Sequence, residues 1–167
     1  MLNVFHKYTD RVRMCNIAQM VNVLQAMILT DQKGSGHMVL TPTYHVFEMY
    51  RPFQEAMFLP MTLTTDSLTT IEGKSMPLLS SSAARCQDGS TVIALNNASL
   101  TDAKTLDVTL EGMTAKTVTG RILTSKDAQD FNDFEHPEVV VPHPFKDAQL
   151  KKNVLSVKLP AKSIVVL

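Results

Sequence analysis

Two cysteines, Cys15 and Cys86, are all that the 167 residues contain. They lie far apart, and a disulfide framework of the kind that staples small secreted domains would need more of them. Neither neighbourhood, RMCNI or AARCQ, offers the histidine or electropositive setting that a nucleophilic thiol requires, so both read as small, mostly buried hydrophobes. Net charge is absent too. Sixteen Lys and Arg balance sixteen Asp and Glu, which leaves no long-range field to gather nucleic acid or an anionic membrane. No run approaches the roughly 20 apolar residues of a membrane-spanning helix. The opening MLNVFHKYTDR has no basic stretch followed by an apolar one, so no secretory leader is expected there. Tryptophan does not occur, and no tyrosine follows Tyr50. Nothing in the sequence asks for a cofactor.

What is present is globular in composition, 44% apolar and 19% charged. The character changes near residue 57. Nine of the ten methionines lie in the first 76 residues and all three tyrosines in the first 50, whereas the second half is rich in Val, Leu, Thr and Ser. The front reads as mixed α/β. Leu2, Val4, Phe5 and Tyr8 have the spacing of a helix tail. Val12–Ile17 is a short apolar run of the kind found in a strand buried on both faces. Gln19 and Asn22 follow among Met20, Val21 and Val23, and amides in such company must find partners at about 1–3 kcal/mol each. Asp31–His37 is a loop by its glycines and polarity. Thr41-Pro42 opens a helix as N-cap and first residue, Tyr44, Val46, Phe47 and Tyr50 share one side of it, and Pro52 stops it.

Helix tail, buried strand, amide-bearing loop and capped helix make one unit of a repeating strand–helix architecture. About 55 residues with one such strand cannot complete a parallel core, because that strand needs neighbours on both edges. Its apolar side chains (Val12, Met14, Ile17, Val21, Val23) are expected to be disordered, repacked on the second regime, or used in a homo-oligomer.

Residues 57–167 read as an all-β sandwich, jelly-roll-like, with about eight strands: Met57–Leu63, Ser75–Cys86, Thr91–Asn97, Thr105–Leu110, Thr117–Thr124, Glu138–Val141, Val154–Leu159 and Ser163–Leu167. Asp88-Gly89 marks a tight hairpin. The run Val92-Ile93-Ala94-Leu95 suits a central strand, while Leu106-Asp107-Val108-Thr109-Leu110 alternates and should be wet on one face. Asp127–His136 is too polar for a strand and makes the one long excursion.

DRVRMCNIAQMVNVLQAMILT at Asp10–Thr30 and LTPTYHVFEMY at Leu40–Tyr50 resemble the C-terminal part of the α-L-arabinofuranosidases of glycoside hydrolase family 51. Asn132-Asp133-Phe134-Glu135-His136-Pro137 is similar to that family's Asn-x-Phe…Pro element, and Leu159-Pro160-Ala161-Lys162-Ser163 to its closing strand motif. The likeness runs from near residue 2 to the end. It implies a (β/α)₈ barrel followed by a β-sandwich, with residues 1–56 the barrel's last strand and helix and residues 57–167 the C-terminal sandwich. It implies hydrolysis of terminal arabinofuranosyl groups with retention, by two Glu carboxyls roughly 5 Å apart on earlier barrel strands. The implied partners are an arabinose-containing glycan and the rest of the barrel. By the same resemblance Gln19 corresponds to a glutamine that hydrogen-bonds arabinose hydroxyls, a task for which an amide both donates and accepts.

No residue of this chain is expected to be a catalytic carboxylate. Glu48, Glu55, Glu72, Glu111, Glu135 and Glu138 stand outside any motif of that kind, and Glu48 reads as solvated. Asp127, Asp130, Asp133 and Glu135 lack the spacing of a calcium loop. His37, His45, His136 and His143 lack metal-ligand spacing. Asn16 and Asn22 are expected to bond nearby loops, and Cys15 to pack a pocket wall. Asn97-Ala98-Ser99 matches a glycosylation sequon but reads as coincidence. The alternative function is a free-standing carbohydrate-binding sandwich. It is weakened because Phe53, Phe58, Phe131, Phe134 and Phe145 are the only aromatics after residue 50 and read as core or loop anchors.

Overall fold

The computed structural model describes residues 1–23, 26–31 and 33–167. Its strands are β1 (Ile28–Thr30), β2 (Met38–Leu40), β3 (Met57–Leu59), β4 (Ser67–Thr69), β5 (Ser75–Pro77), β6 (Leu79–Arg85), β7 (Thr91–Asn97), β8 (Lys104–Thr109), β9 (Arg121–Thr124), β10 (His143–Pro144), β11 (Ala148–Lys151), β12 (Val154–Leu159) and β13 (Ser163–Val166). Its helices are α1 (Leu2–Lys7) and α2 (Pro42–Met49), followed by a 3-10 turn at Arg51–Phe53. A six-stranded sheet in the order β10-β9-β13-β7-β6-β3 faces a three-stranded sheet in the order β11-β12-β8. Every pairing within these two sheets is antiparallel.

The core between the sheets follows from side-chain alternation. Leu79, Ala83, Ile93, Leu95, Ile122 and Val165 point inward from the large sheet and meet Leu155, Val157 and Leu159 of β12. The small sheet is wet outside: Thr105, Asp107 and Thr109 of β8 are exposed, as the alternation predicts. Its Asp107 accepts a bond from Ser156 Oγ across β12 at 2.6 Å.

The large sheet is buried on its second face as well, which explains why β7 is continuously apolar. Val92, Ala94, Leu123 and Val166 form a second cluster with Ala84, Met49 and Tyr50. Short side chains on β6 (Ser80, Ser82, Ala84) let α1 approach closely. The seam there is polar and satisfied. Asn3 is 2% exposed; its Nδ2 donates to Ser80 Oγ at 3.2 Å, and its Oδ1 accepts from Tyr50 Oη at 2.7 Å and Ser82 Oγ at 2.9 Å. Because the Ser82 hydroxyl proton goes to Asn3, the 2.9 Å contact between Ser82 Oγ and His6 Nδ1 requires the imidazole to donate there. The His6 ring stacks on Phe53 at 4.4 Å. Burial pushes the Tyr50 phenol above its ordinary range, opposed by the Asn3 bond.

Burial lowers the His6 pKa below 6.5. Desolvation also lowers that of His45, against the attraction of Glu48. A depressed histidine pKa means that the unfolded chain binds the proton more readily. Stability is therefore full above about pH 6.5 and declines as pH falls below it. Denaturant midpoints at pH 7.5 and 5.5 check this: the midpoint should be lower at 5.5, and His6→Gln should flatten the difference. Equal slopes in both proteins would refute the role of His6.

Several expected elements are confirmed at close quarters. β7 and β12 span the expected Thr91–Asn97 and Val154–Leu159. Thr41 caps α2 by accepting from Tyr44 N, and Pro42 is the first helical residue. Asp88-Gly89 closes the β6–β7 hairpin: Gly89 sits at φ 84°, which only glycine adopts freely, and Asp88 Oδ1 accepts from Ser90 N at 2.8 Å.

Other boundaries differ. Met57–Leu63 pairs only through Leu59, since Pro60 brings no donor. Ser75–Cys86 splits into β5, which pairs with β4, and β6. Thr105–Leu110 is displaced by one residue to Lys104–Thr109, and Ser163–Leu167 ends at Val166. Thr117–Thr124 shortens to Arg121–Thr124. Just before it, a Cβ on Gly120 would lie 2.8 Å from the Val166 carbonyl. Glu138–Val141 is not a strand, because a side chain replaces the neighbouring strand: Asn132 Oδ1 accepts from Val140 N at 2.8 Å and Asn132 Nδ2 donates to Val140 O at 3.0 Å. The sandwich thus has nine strands rather than eight.

The buried strand expected at Val12–Ile17 does not form. A parallel strand needs hydrogen-bonded neighbours on both edges, and among the described residues none lies there. Met14 is 76% and Val21 45% exposed, so this stretch does not repack on the sandwich.

Among the described residues one buried hydroxyl is orphaned. Ser81 Oγ, on the inward face of β6, has no partner. An unpaired hydroxyl loses its hydration without compensation. Ser81→Ala should therefore raise stability by about 1 kcal/mol, read from the urea midpoint; a loss instead would mean that the hydroxyl is satisfied.

Candidate functional site

Gln19 and its neighbours lie in the segment between α1 and β1. Arg11 and Val12 close a turn by donating to Tyr8 O at 2.9 and 2.7 Å. From there to Gln19 the chain runs without strand pairing, and Cys15, Asn16 and Gln19 are all exposed. The expectation of a buried Cys15 thus fails, because no wall forms around it among the described residues. Cys86 is half-buried, with Sγ 3.5 Å from Pro52 O.

Hydrogen bonding resumes at Met20, whose carbonyl accepts from Met27 N and Ile28 N, both at 3.0 Å. Asn22 adopts φ 56°, a left-handed conformation that asparagine tolerates. Its Oδ1 accepts from Thr30 N at 2.7 Å and its Nδ2 donates to Thr30 Oγ1 at 2.8 Å. Asn22 therefore does bond a nearby element, as expected. β1 and β2 then form an antiparallel hairpin whose connection is the expected polar loop; Gln32 of that loop lies outside the described residues. Within it Asp31 accepts from Ser35 N at 3.0 Å and from the Ser35 hydroxyl, which lowers the Asp31 pKa. Thr41 Oγ1 donates to Ala26 O at 2.7 Å, tying the hairpin base to α2.

A loop from the sandwich reaches this hairpin. Asn132 is 2% exposed, and besides its bonds to Val140 its Nδ2 donates to Leu40 O at the end of β2, at 2.8 Å. Asp133 Oδ1 accepts from Glu135 N at 2.9 Å and His136 N at 2.6 Å. These two residues hold the loop that carries Phe134. The result is a cleft of about 660 Å³ lined by Asn22, Val23, Leu29, Thr30, Asp31, Lys33, His37 and Phe134. Gln19 is not among its lining residues. The sequence suggests a core or loop anchor at Phe134; instead it is half-exposed, and Phe131 is more exposed still. Their exposure was not foreseeable from hydropathy. The Asn-x-Phe element was the available signal.

Several of the carboxylates are engaged structurally. Glu48 is not merely solvated, because both its oxygens lie 2.7 Å from Arg121 Nη1, which joins α2 to β9. Glu55 accepts from Gln87 at 3.2 Å and Glu72 pairs with Lys74 at 2.8 Å. Asp127 and Asp130 accept from backbone N–H groups of their own loop. Among the described residues no group of three or more His, Cys, Asp or Glu could hold a metal ion, and no helix is long and apolar enough to cross a membrane. Asn97 of the sequon is 1% exposed, and its amide nitrogen already donates to backbone carbonyls.

Comparison with known proteins gives one consistent result. The family described as Alpha-L-arabinofuranosidase C-terminal domain matches residues 1–163. An intracellular exo-alpha-L-arabinofuranosidase from Bacteroides ovatus is 47% identical over 166 residues, which are 99% of this chain and 32% of that protein. The crystal structure of the GH51 arabinofuranosidase from Xanthomonas axonopodis pv. citri superposes with TM-score 0.92 at 43% identity, over 98% of this chain and 32% of that one. The GH51 alpha-L-arabinofuranosidase of Thermotoga petrophila gives 0.81 at 25% identity, over 99% and 35%. The chain spans about a third of the length of these relatives. It belongs to the α-L-arabinofuranosidase C-terminal domain family and corresponds to the C-terminal region of glycoside hydrolase family 51 enzymes.

Proposed function

We propose that this chain is the C-terminal third of a retaining α-L-arabinofuranosidase, which removes terminal α-L-arabinofuranosyl groups from arabinose-containing polysaccharides or oligosaccharides. The observation that carries the reading is the match to named arabinofuranosidases along nearly the whole chain. In this reading residues 1–56 complete the catalytic barrel and residues 57–167 brace it. The nucleophile and the acid/base, two Glu roughly 5 Å apart, stand on barrel strands outside this chain. The exposed, unpaired Val12–Ile17 segment supports this, since it has the composition of a buried strand and lacks the neighbours one requires. Gln19 then contacts the arabinofuranosyl hydroxyls, its amide N–H donating and its carbonyl accepting. The seam at Asn3 and Tyr50 and the Glu48–Arg121 pair anchor the barrel side to the sandwich.

An aryl α-L-arabinofuranoside assay tests the division of labour. The full-length enzyme should release the aglycone, and this chain by itself should release none. Turnover by the chain alone would overturn the claim that catalysis lies outside it.

A further inference from the structure

We infer that Asn22 is a positioning residue for the hydrolysis: by clamping the chain just after Gln19 onto β1, it holds the Gln19 amide in line with the arabinofuranosyl hydroxyls. The inference rests on the functional reading above and deepens it. Gln19 needs such a hold. Among the described residues no backbone hydrogen bond reaches 13–19, so within this chain its anchor lies wholly on the side that follows it. That anchor begins one residue on. Met20 O accepts from Met27 N and Ile28 N, and Asn22 N donates to Ile28 O, all at 3.0 Å. The surface it grips is itself fixed. β1 pairs with β2, and at its base Thr41 N donates to Met27 O at 3.0 Å, which ties it to the cap of α2.

Asn22 closes the anchor with its backbone and its side chain together. Its φ of 56° is left-handed, a conformation that asparagine adopts more readily than alanine does. From there the side-chain amide takes both polar groups of Thr30. Oδ1 accepts from Thr30 N at 2.7 Å and Nδ2 donates to Thr30 Oγ1 at 2.8 Å. Two bonds to one residue fix distance and torsion, where a single bond would leave a hinge. The hold matters because hydrogen bonds weaken steeply off line, and a misplacement of about 1 Å caused away from the chemistry costs roughly a hundredfold in rate. Three replacements separate the parts. Aspartate keeps both bonds, with the Thr30 hydroxyl turned to donate, and shares the tolerance of left-handed φ. Glycine keeps the backbone conformation and loses the clamp. Alanine loses both.

The test is a double-mutant cycle on the full-length enzyme, read as kcat/KM on an aryl α-L-arabinofuranoside. Gln19→Ala should lower kcat/KM about a hundredfold and Asn22→Ala about tenfold, while Asn22→Asp should recover most of what Asn22→Ala loses. The double variant Gln19→Ala/Asn22→Ala should be no slower than Gln19→Ala alone, within about twofold, because a clamp has nothing left to position once the amide is gone. A merely structural role would instead multiply the two losses. Thermal melts identify a variant that is unfolded, and Asn22→Gly, with an expected loss of about fivefold and the same non-additivity, then decides. Multiplied losses, or full activity in Asn22→Ala, overturn the clamp and leave the functional reading standing. Full activity in Gln19→Ala overturns the role of Gln19 and the clamp with it. A wild-type enzyme inactive on the aryl arabinofuranoside overturns the functional reading itself.

Discussion

Asn97→Asp should destabilise the protein by about 4 kcal/mol at pH 7, because it turns a buried donor into a buried charge facing carbonyl oxygens. Asn97 is fully buried at the end of β7. Its Nδ2 donates to Asp102 O and Pro160 O, both at 2.9 Å, and its Oδ1 accepts from Ser99 N at 3.0 Å. One amide thus fastens the β7–β8 connection to the turn before β13. Aspartate has the same shape, so packing is preserved and only hydrogen-bond polarity changes. The carboxyl pKa must rise in the folded state, where the protonated acid regains one donor. The folded variant then binds the proton more readily than the unfolded one, so the penalty shrinks as pH falls toward 4. Urea midpoints of both proteins at pH 7 and pH 4.5 check the magnitude and the sign. A penalty that grows on acidification would refute the geometry.

The second large effect concerns the seam. Asn3→Leu removes the partner of Tyr50 Oη, Ser80 Oγ and Ser82 Oγ at once. Several polar groups are then left buried beneath α1, at a cost of about 3 kcal/mol. Tyr50→Phe, which removes one donor and leaves Asn3 its other bonds, should cost about 1 kcal/mol. Hydrogen exchange gives the decisive readout. Amides of α1, α2 and the 3-10 turn should exchange faster in Asn3→Leu, while those of β7 and β12 stay protected, because a local opening need not involve the whole fold. Equal acceleration in β7 would mean that the seam is part of the sandwich core and not an attachment to it.

Legibility in the sequence tracked the range of the interactions concerned. β7, β12, the Thr41-Pro42 cap and the Asp88-Gly89 turn were readable because alternation, capping and turn chemistry act between residues close along the chain. The Glu138–Val141 strand was misjudged because its β-like composition says nothing of Asn132, whose side chain takes up the Val140 backbone groups. Gln19 stands out by its place after the expected strand and by resemblance, whereas the cleft is not legible, since Phe134 and His37 stand 97 residues apart and only the fold brings them to one cavity.

The sequence by itself determined a β-sandwich preceded by a segment with too few strands for its own core, since side-chain period and strand length are local properties. Only the tertiary structure decided that Ser80, Ser82 and Ala84 face helices rather than water, that Glu48 is tied to Arg121, and that Val12–Ile17 stays unpaired. Those outcomes depend on which distant surfaces meet, because backbone donors and apolar faces settle where partners exist to satisfy them.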